Sequence, residues 1–215
     1  KGLALDKKQK LIDAIANSGS IEEIYSSLIS SWKQVKDLII DCEVSELDLN
    51  IPDIKCIKNK SEKLMLADIA IYLQGDILVK TDRASMSFGL ETRSPFLDHR
   101  VAECAWGIPT SIKIKRSGLN QIGKWPLRQI LNNNVPKELT QRPKAGFCMP
   151  IGNWLRGPLK TWAEDLLDPN LIKKQGYLCH KTVTKTWETH LHGEKDLSSK
   201  LWNVLMWQSW ISRWQ

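Results

Sequence analysis

Two groups of charged residues could do chemistry in this chain. The first lies between Asp82 and Arg100, where Asp82, Arg83, Glu91, Arg93, Asp98, His99 and Arg100 crowd one short stretch. A carboxylate held in a rigid and partly dry place can do acid–base work. The second is the basic pair Arg142 and Lys144, in a loop that also carries Pro143, Gly146 and Pro150. Positioned cations of this type can hold developing negative charge. By residue type alone, the first group is more often a structural ion-pair network and the second a solvated loop.

The elements around Glu91 are legible. Ile69, Leu73, Ile77 and Leu78 form the apolar side of a helix that should run to about Phe88. Gly89 stands where a helix needs a left-handed residue at its end. Pro95 forces Ser94 out of the helical region, so residues 90–94 are extended or turned. Asp98 suits the N-cap of a second helix carrying Val101, Ala102, Ala105 and Trp106, stopped by Gly107 and Pro109. Glu91 and Arg93 then occupy a short connection between two helices whose apolar faces pack. Such a connection is expected to be rigid and partly dry.

The rest of the chain reads as helix upon helix. Leu11, Ile12 and Ile15 suggest a short helix ended near residues 17–19, and Ser20 with Glu23 forms a capping-box pattern before Ile24, Leu28 and Trp32. Residues 43–59 are mixed and include Pro52, which suggests an irregular connection. A helix from Ser61 is interrupted near Gln74 and Gly75, and Ile112 to Arg116 suits a short extended segment before a Ser117–Gly118 turn. Ile122 to Leu131 is a helix with Pro126 early in it. Pro158 opens a helix that Asp168 and Pro169 stop. A further helix covers about 181–190, and the last covers about 197–214. That last helix carries four of the ten tryptophans and is apolar nearly all round, so it should be buried or lie against a partner.

Composition narrows the class. The chain has 215 residues, a formal charge of +7 and 42% apolar residues, ordinary values for one or two globular domains. No apolar run approaches the roughly 18–20 residues that span a bilayer, so no membrane role is expected. The basic residues are scattered, which speaks against a nucleic-acid module. Five cysteines without a C-x-x-C pair suggest neither a zinc site nor a disulfide framework, and fit a reducing, cytoplasmic setting. His180, His190 and His192 lack a carboxylate at ligand spacing and read as surface histidines, with no metal site. Cys148 reads as a buried inert thiol.

The strings Leu78-Val79-Lys80-x-Asp82-Arg83-Ala84-Ser85-Met86 and Leu90-Glu91-x-Arg93-x-Pro95-Phe96-Leu97-Asp98-His99-Arg100 closely resemble the synthetase half of the glutamine-dependent asparagine synthetases. So do Lys124 to Leu131, Arg142-Pro143-Lys144-Ala145-Gly146-Phe147, Pro150, Trp154-Leu155, and Leu201-Trp202-Asn203-x-Leu205 with Trp210. The resemblance runs from about Leu64 to the C-terminus. It implies a mainly α, multi-helical C-terminal half of an α/β, adenine nucleotide α-hydrolase-like synthetase domain. Residues 1–60 are expected to be a variable helical segment, and 61–215 the helical part of that domain.

In that family an aspartate carboxylate attacks the α-phosphorus of ATP, and magnesium pyrophosphate leaves. Ammonia derived from glutamine then attacks the aspartyl-AMP, giving asparagine and AMP. By its place in the motif, Glu91 resembles the glutamate that orients or deprotonates the incoming nitrogen. Lys144 resembles the lysine that stabilises charge on phosphate. Phe88 and Gly89 match the backbone segment that touches the nucleotide, with Arg142 as a weaker nucleotide contact. Asp82, Arg83, Arg93, Asp98 and Arg100 are expected to cap helices and form ion pairs.

The chain begins with Lys1 and lacks three family features: the Ser-Gly-Gly-x-Asp-Ser phosphate turn, the acidic Gly-Glu-Gly-x-Asp-Glu segment and an N-terminal nucleophilic Cys. A C-terminal fragment is therefore expected, inactive alone, with ATP and Mg2+ held mainly by the other part. Its partners are aspartate, glutamine-derived ammonia and the N-terminal part of the same protein, and a homo-oligomer is compatible with the sequence. The same scaffold also serves β-lactam-forming synthetases and other amidotransferases, and a non-catalytic helical interaction module is the reading from another class.

Overall fold

The computed structural model of the chain describes residues 2–42, 56–118, 120–140 and 149–214. In chain order the helices are α1 (Gly2–Ala16), α2 (Ile21–Ile29), α3 (Lys60–Ala67), α4 (Val79–Met86), α5 (His99–Gly107), α6 (Thr110–Lys113) and α7 (Trp125–Asn134). They continue as α8 (Lys137–Thr140), α9 (Ile151–Arg156), α10 (Lys160–Leu166), α11 (Pro169–Gln175), α12 (His180–Leu191) and α13 (Ser198–Trp214). A small antiparallel hairpin, β1 (Lys115–Ser117) and β2 (Asn120–Ile122), sets Arg116 opposite Gln121. Among the described residues the fold is mainly α, as the patterning implied. No described helix is long and apolar enough to cross a membrane.

The chain divides into two compact units. One combines Lys1–Asp48 with Phe147–Gln215, and it contains the apolar core. Its spine is α13, which buries Leu201, Val204, Leu205, Gln208 and Ile211 at helical spacing. Leu155 of α9, Ala163 of α10, Ile172 of α11 and Val183 and Trp187 of α12 pack into the same cluster. Each fully buried leucine there contributes about 1.5–3 kcal/mol relative to exposure. The helix is not buried all round, however. Trp207 and Trp210 stack with centroids 5.6 Å apart on its exposed side, and Tyr177 meets Trp207 edge-on at 6.1 Å.

The N-terminal segment of this unit is stitched to the C-terminal one. Ile39 pairs with Leu178 in an antiparallel bridge, and the Cys179 N–H donates to the Leu38 carbonyl at 2.8 Å. Trp32 Nε1 donates to the Lys200 carbonyl at 3.2 Å. The Ser20 capping pattern is realised, with the Glu23 N–H donating to Ser20 Oγ at 3.1 Å. Lys10 Nζ donates to the carbonyls of Leu28 and Ser30, closing the end of α2. Burial, then the charges of Lys33 and Lys200, push its pKa down. Asp168 and Pro169, expected only as a stop, also start α11. Asp168 accepts the Leu171 N–H at 2.8 Å, Pro169 lies in the first turn, and Gly176 ends the helix at φ +76°.

The other unit is Leu49–Gly146. Asn59 caps α3 by accepting the Ser61 N–H at 2.9 Å, and Thr110 donates to Glu62 at 2.6 Å. The expected interruption at Gln74 and Gly75 does not occur. Asp68–Leu78 carries the chain from α3 into α4 as one π-wound stretch, a wider winding that passes through Gly75 without a break. The extended segment expected at Ile112 starts later, at Lys115, because Ile112 lies within the short helix α6, which runs to Lys113. Ala67 is the buried apolar side chain of this unit among the described residues. The connection expected at residues 43–59 lies outside the described residues up to residue 55.

Candidate functional site

The turn that carries Glu91 is built by four local devices. Gly89 takes φ +68°, the Gly89 N–H donates to the Met86 carbonyl at 3.0 Å, and the Leu90 N–H donates to Ser85 at 3.1 Å. These bonds satisfy the last carbonyls of α4 and turn the chain, as glycine does at helix ends. Ser94 is extended (φ −94°, ψ 121°) ahead of Pro95, as the proline demands. A 3-10 turn, Pro95–Leu97, follows. Asp98 then caps α5 by accepting the Arg100 N–H at 2.9 Å.

The charges on this turn pair with near neighbours. Arg93 Nε donates to Glu91 Oε1 at 2.9 Å, and Arg83 Nη1 donates to Asp82 at 3.0 Å. Arg100 grips Asp98 with a fork, Nε at 3.0 Å and Nη2 at 2.8 Å, and this bond holds the Asp98 carboxyl below the usual carboxylate range. The caps and ion pairs expected at these positions are present.

One expectation is corrected. The connection is not dry: Phe88 is 83% exposed, Leu90 and Phe96 are each 63% exposed, and Glu91 and Arg93 are exposed too. Met86 at the end of α4 and Val101 and Trp106 on α5 are also exposed, so the apolar side of α5 stays open to solvent, while Leu73, Ile77 and Leu78 ahead of α4 are half-buried. Of the residues singled out by sequence, Phe88, Gly89 and Glu91 lie together on this turn. Arg142, Lys144 and Cys148 lie outside the described residues.

The described chain resumes at Met149 and Pro150 and enters α9, which has a buried polar anchor that composition alone did not suggest. His190, expected at the surface, is fully buried. Arg156 Nε donates to the His190 carbonyl at 2.8 Å, and the ring Nε2 lies 3.2 Å from the Gly152 carbonyl. Burial, then the Arg156 charge, lowers the pKa of His190. Asp196 also lies low: burial works against its charge, but bonds from Ser198 and the nearby cation outweigh that. The missed signal was periodic, since Val183, Trp187 and His190 follow the buried stripe of α12. No group of three or more metal-ligating side chains occurs among the described residues.

A cavity of about 610 Å³ also opens in this unit, lined by Lys36, Asp37, Ile40, Cys179, Thr182 and Lys185 among others. A hydrogen bond with Thr182 lowers the pKa of the Cys179 thiol, which precedes the first residue of α12.

The chain has relatives among known proteins. The family model described as asparagine synthase matches residues 5–212, and the chain belongs to that family. It is similar to asparagine synthetase [glutamine-hydrolyzing] 1 of Bacillus subtilis (strain 168), 33% identical over 150 residues, covering 70% of this chain and 23% of that protein. The asparagine synthetase [glutamine-hydrolyzing] of Homo sapiens is 29% identical over 159 residues, covering 67% of this chain and 27% of that protein. That of Gallus gallus is 33% identical over 121 residues, covering 54% and 20% respectively. The matches thus span 20% to 27% of the length of these relatives. No solved structure matches the chain at comparable stringency.

Proposed function

We propose that the chain is the helical C-terminal part of the synthetase domain of an ATP-dependent, glutamine-hydrolysing asparagine synthetase. The observation that carries this reading is the family match over residues 5–212, which takes in Glu91 and Lys144 in their motifs. The complete domain is then α/β and adenine nucleotide α-hydrolase-like. Residues 1–60 form its variable helical segment and 61–215 its helical part. The enzyme is a cytoplasmic carbon–nitrogen ligase. The aspartate carboxylate displaces pyrophosphate from ATP, and ammonia displaces AMP from the acyl carbon, releasing one proton.

In this reading Glu91 orients or deprotonates the incoming nitrogen, and Lys144 stabilises negative charge on phosphate, with Arg142 beside it. The turn at Phe88 fits one part of a nucleotide better than another. The N–H groups of Phe88, Gly89 and Leu90 all donate to carbonyls at the end of α4, so they are not free for phosphate. What the turn offers is an exposed Phe88 ring and open space beside Gly89, which suits an adenine base. The phosphates and Mg2+ would then be held mainly by the rest of the synthetase, with Lys144 stabilising negative charge on phosphate. The exposed Phe88, Leu90 and Phe96 of the turn and the open apolar side of α5 support a fragment whose apolar faces are covered by the remainder of its domain.

The test is pyrophosphate release by the complete synthetase, with aspartate compared against other carboxylates. Release that depends on aspartate supports asparagine formation. Release only with another carboxylate would move the enzyme to a different amidotransferase or β-lactam-type class.

A further inference from the structure

His190, Arg156 and Asp196 close on one another inside the first unit, and the chemistry proposed above uses none of them. His190 lies in the last turns of α12 with no exposed surface. Its Nδ1 accepts the Leu197 N–H at 3.2 Å, so the ring proton sits on Nε2 and points at the Gly152 carbonyl, 3.2 Å away. Arg156 of α9 donates Nε to the His190 carbonyl and holds Nη2 3.4 Å from Nδ1. Asp196, between α12 and α13, has Oδ1 3.7 Å from the same Nδ1. That carboxylate also accepts the Ser198 N–H at 3.0 Å, which caps the start of α13. Trp187 stacks on the ring with centroids 6.2 Å apart. Arg156 and Asp196 are thus the charged groups that face the imidazole from α9 and from the α12–α13 loop.

The contact between α9 and Asp196 is close. A Cβ added at Gly152 would stand 3.0 Å from both carboxylate oxygens of Asp196. The first turn of α9 and the loop before α13 are therefore in close contact through the Asp196 side chain.

We propose that this cluster is a proton-operated latch that fastens α9 to α12 and to the start of α13. Taking up one proton from solvent places an N–H on Nδ1, where the Leu197 N–H and the Arg156 guanidinium already point. Donors then face a donor, and the Leu197 bond is lost. Asp196 is the nearest carboxylate to that nitrogen. It swings from the Ser198 N–H to the imidazolium, and α13 loses its cap. Helix α9 has six residues, too few to persist as a helix without its packing, so it loosens with the latch. Burial and the Arg156 charge oppose the proton, which keeps the latch shut near neutrality and opens it in mild acid.

The test is amide hydrogen exchange of the 215-residue chain at about pH 7.5 and about pH 5, with rates corrected for the intrinsic effect of pH. Protection of residues 151–156 and 197–198 should fall about tenfold in acid relative to α10, as one coupled titration would give. In His190→Gln, whose amide can donate to Gly152 but does not titrate, that differential loss should vanish. Flat protection in the wild type, or an equal loss in the variant, would overturn the latch. A second readout holds even where the variant does not fold. In the wild type the imidazole resonance of His190 and the protection of α9 should share one pH midpoint, and midpoints clearly apart would also overturn it.

Discussion

Arg93 Nε donates to Glu91 Oε1 at 2.9 Å on a turn where both side chains stand in solvent. An exposed pair of this kind contributes at most about 1 kcal/mol, so the shape of the turn rests on Gly89, Pro95 and Asp98. Arg93→Ala should therefore leave the urea midpoint of the chain nearly unchanged. A loss well above about 1 kcal/mol would show that the pair does structural work.

The isolated chain should not bind Mg-ATP tightly. It has no Ser-Gly-Gly-x-Asp-Ser turn, and the N–H groups at Phe88, Gly89 and Leu90 are already bonded within the end of α4. Calorimetric titration should give no micromolar binding heat. A clear micromolar isotherm would mean that the phosphates find their donors within these residues.

Stability should depend on the first unit. Leu205 is fully buried in its core, whereas Leu127 on α7 is nearly half exposed. Leu205→Ala should cost about 2–5 kcal/mol in chemical denaturation, and Leu127→Ala well under that range. Equal losses would contradict the unequal cores of the two units.

Acid should weaken the fold in two stages. The pKa of His190 is lowered from its ordinary 6.5, so below that pH the unfolded chain takes up a proton that the folded chain resists. This contribution is complete above 6.5 and is lost as pH falls from there towards the folded value. Asp196, also lowered, contributes above its ordinary 3.8 and loses that contribution as pH falls through its folded value. Denaturation midpoints should drop between about pH 7.5 and 5.5 in the wild type, and much less in His190→Gln. A midpoint that rises on acidification would contradict the sign.

Local signals were the legible ones. Ser20, Gly89, Pro95 and Asp98 each announce a backbone event within four residues, and each occurs where the sequence puts it. Asp168–Pro169 shows the limit of such reading, because the same pair that ends one helix caps the next. His190 shows a second limit. Its place on the buried stripe of α12 is periodic, but its partners Gly152 and Arg156 lie 38 and 34 residues away, and no local pattern carries that distance. The dryness expected at Glu91 failed for a related reason: an apolar side such as that of α5 announces a face to be covered, but not what covers it.

The central claim is that Glu91 and Lys144 serve one adenylating ligase, and pyrophosphate release tests it most directly. In the complete synthetase with aspartate and ammonia, Lys144→Ala should cut the rate of pyrophosphate release by about 100- to 1,000-fold, the usual cost of removing one charge-stabilising donor. Release at a near-normal rate in that variant would contradict the role of Lys144 and the mechanism built on it.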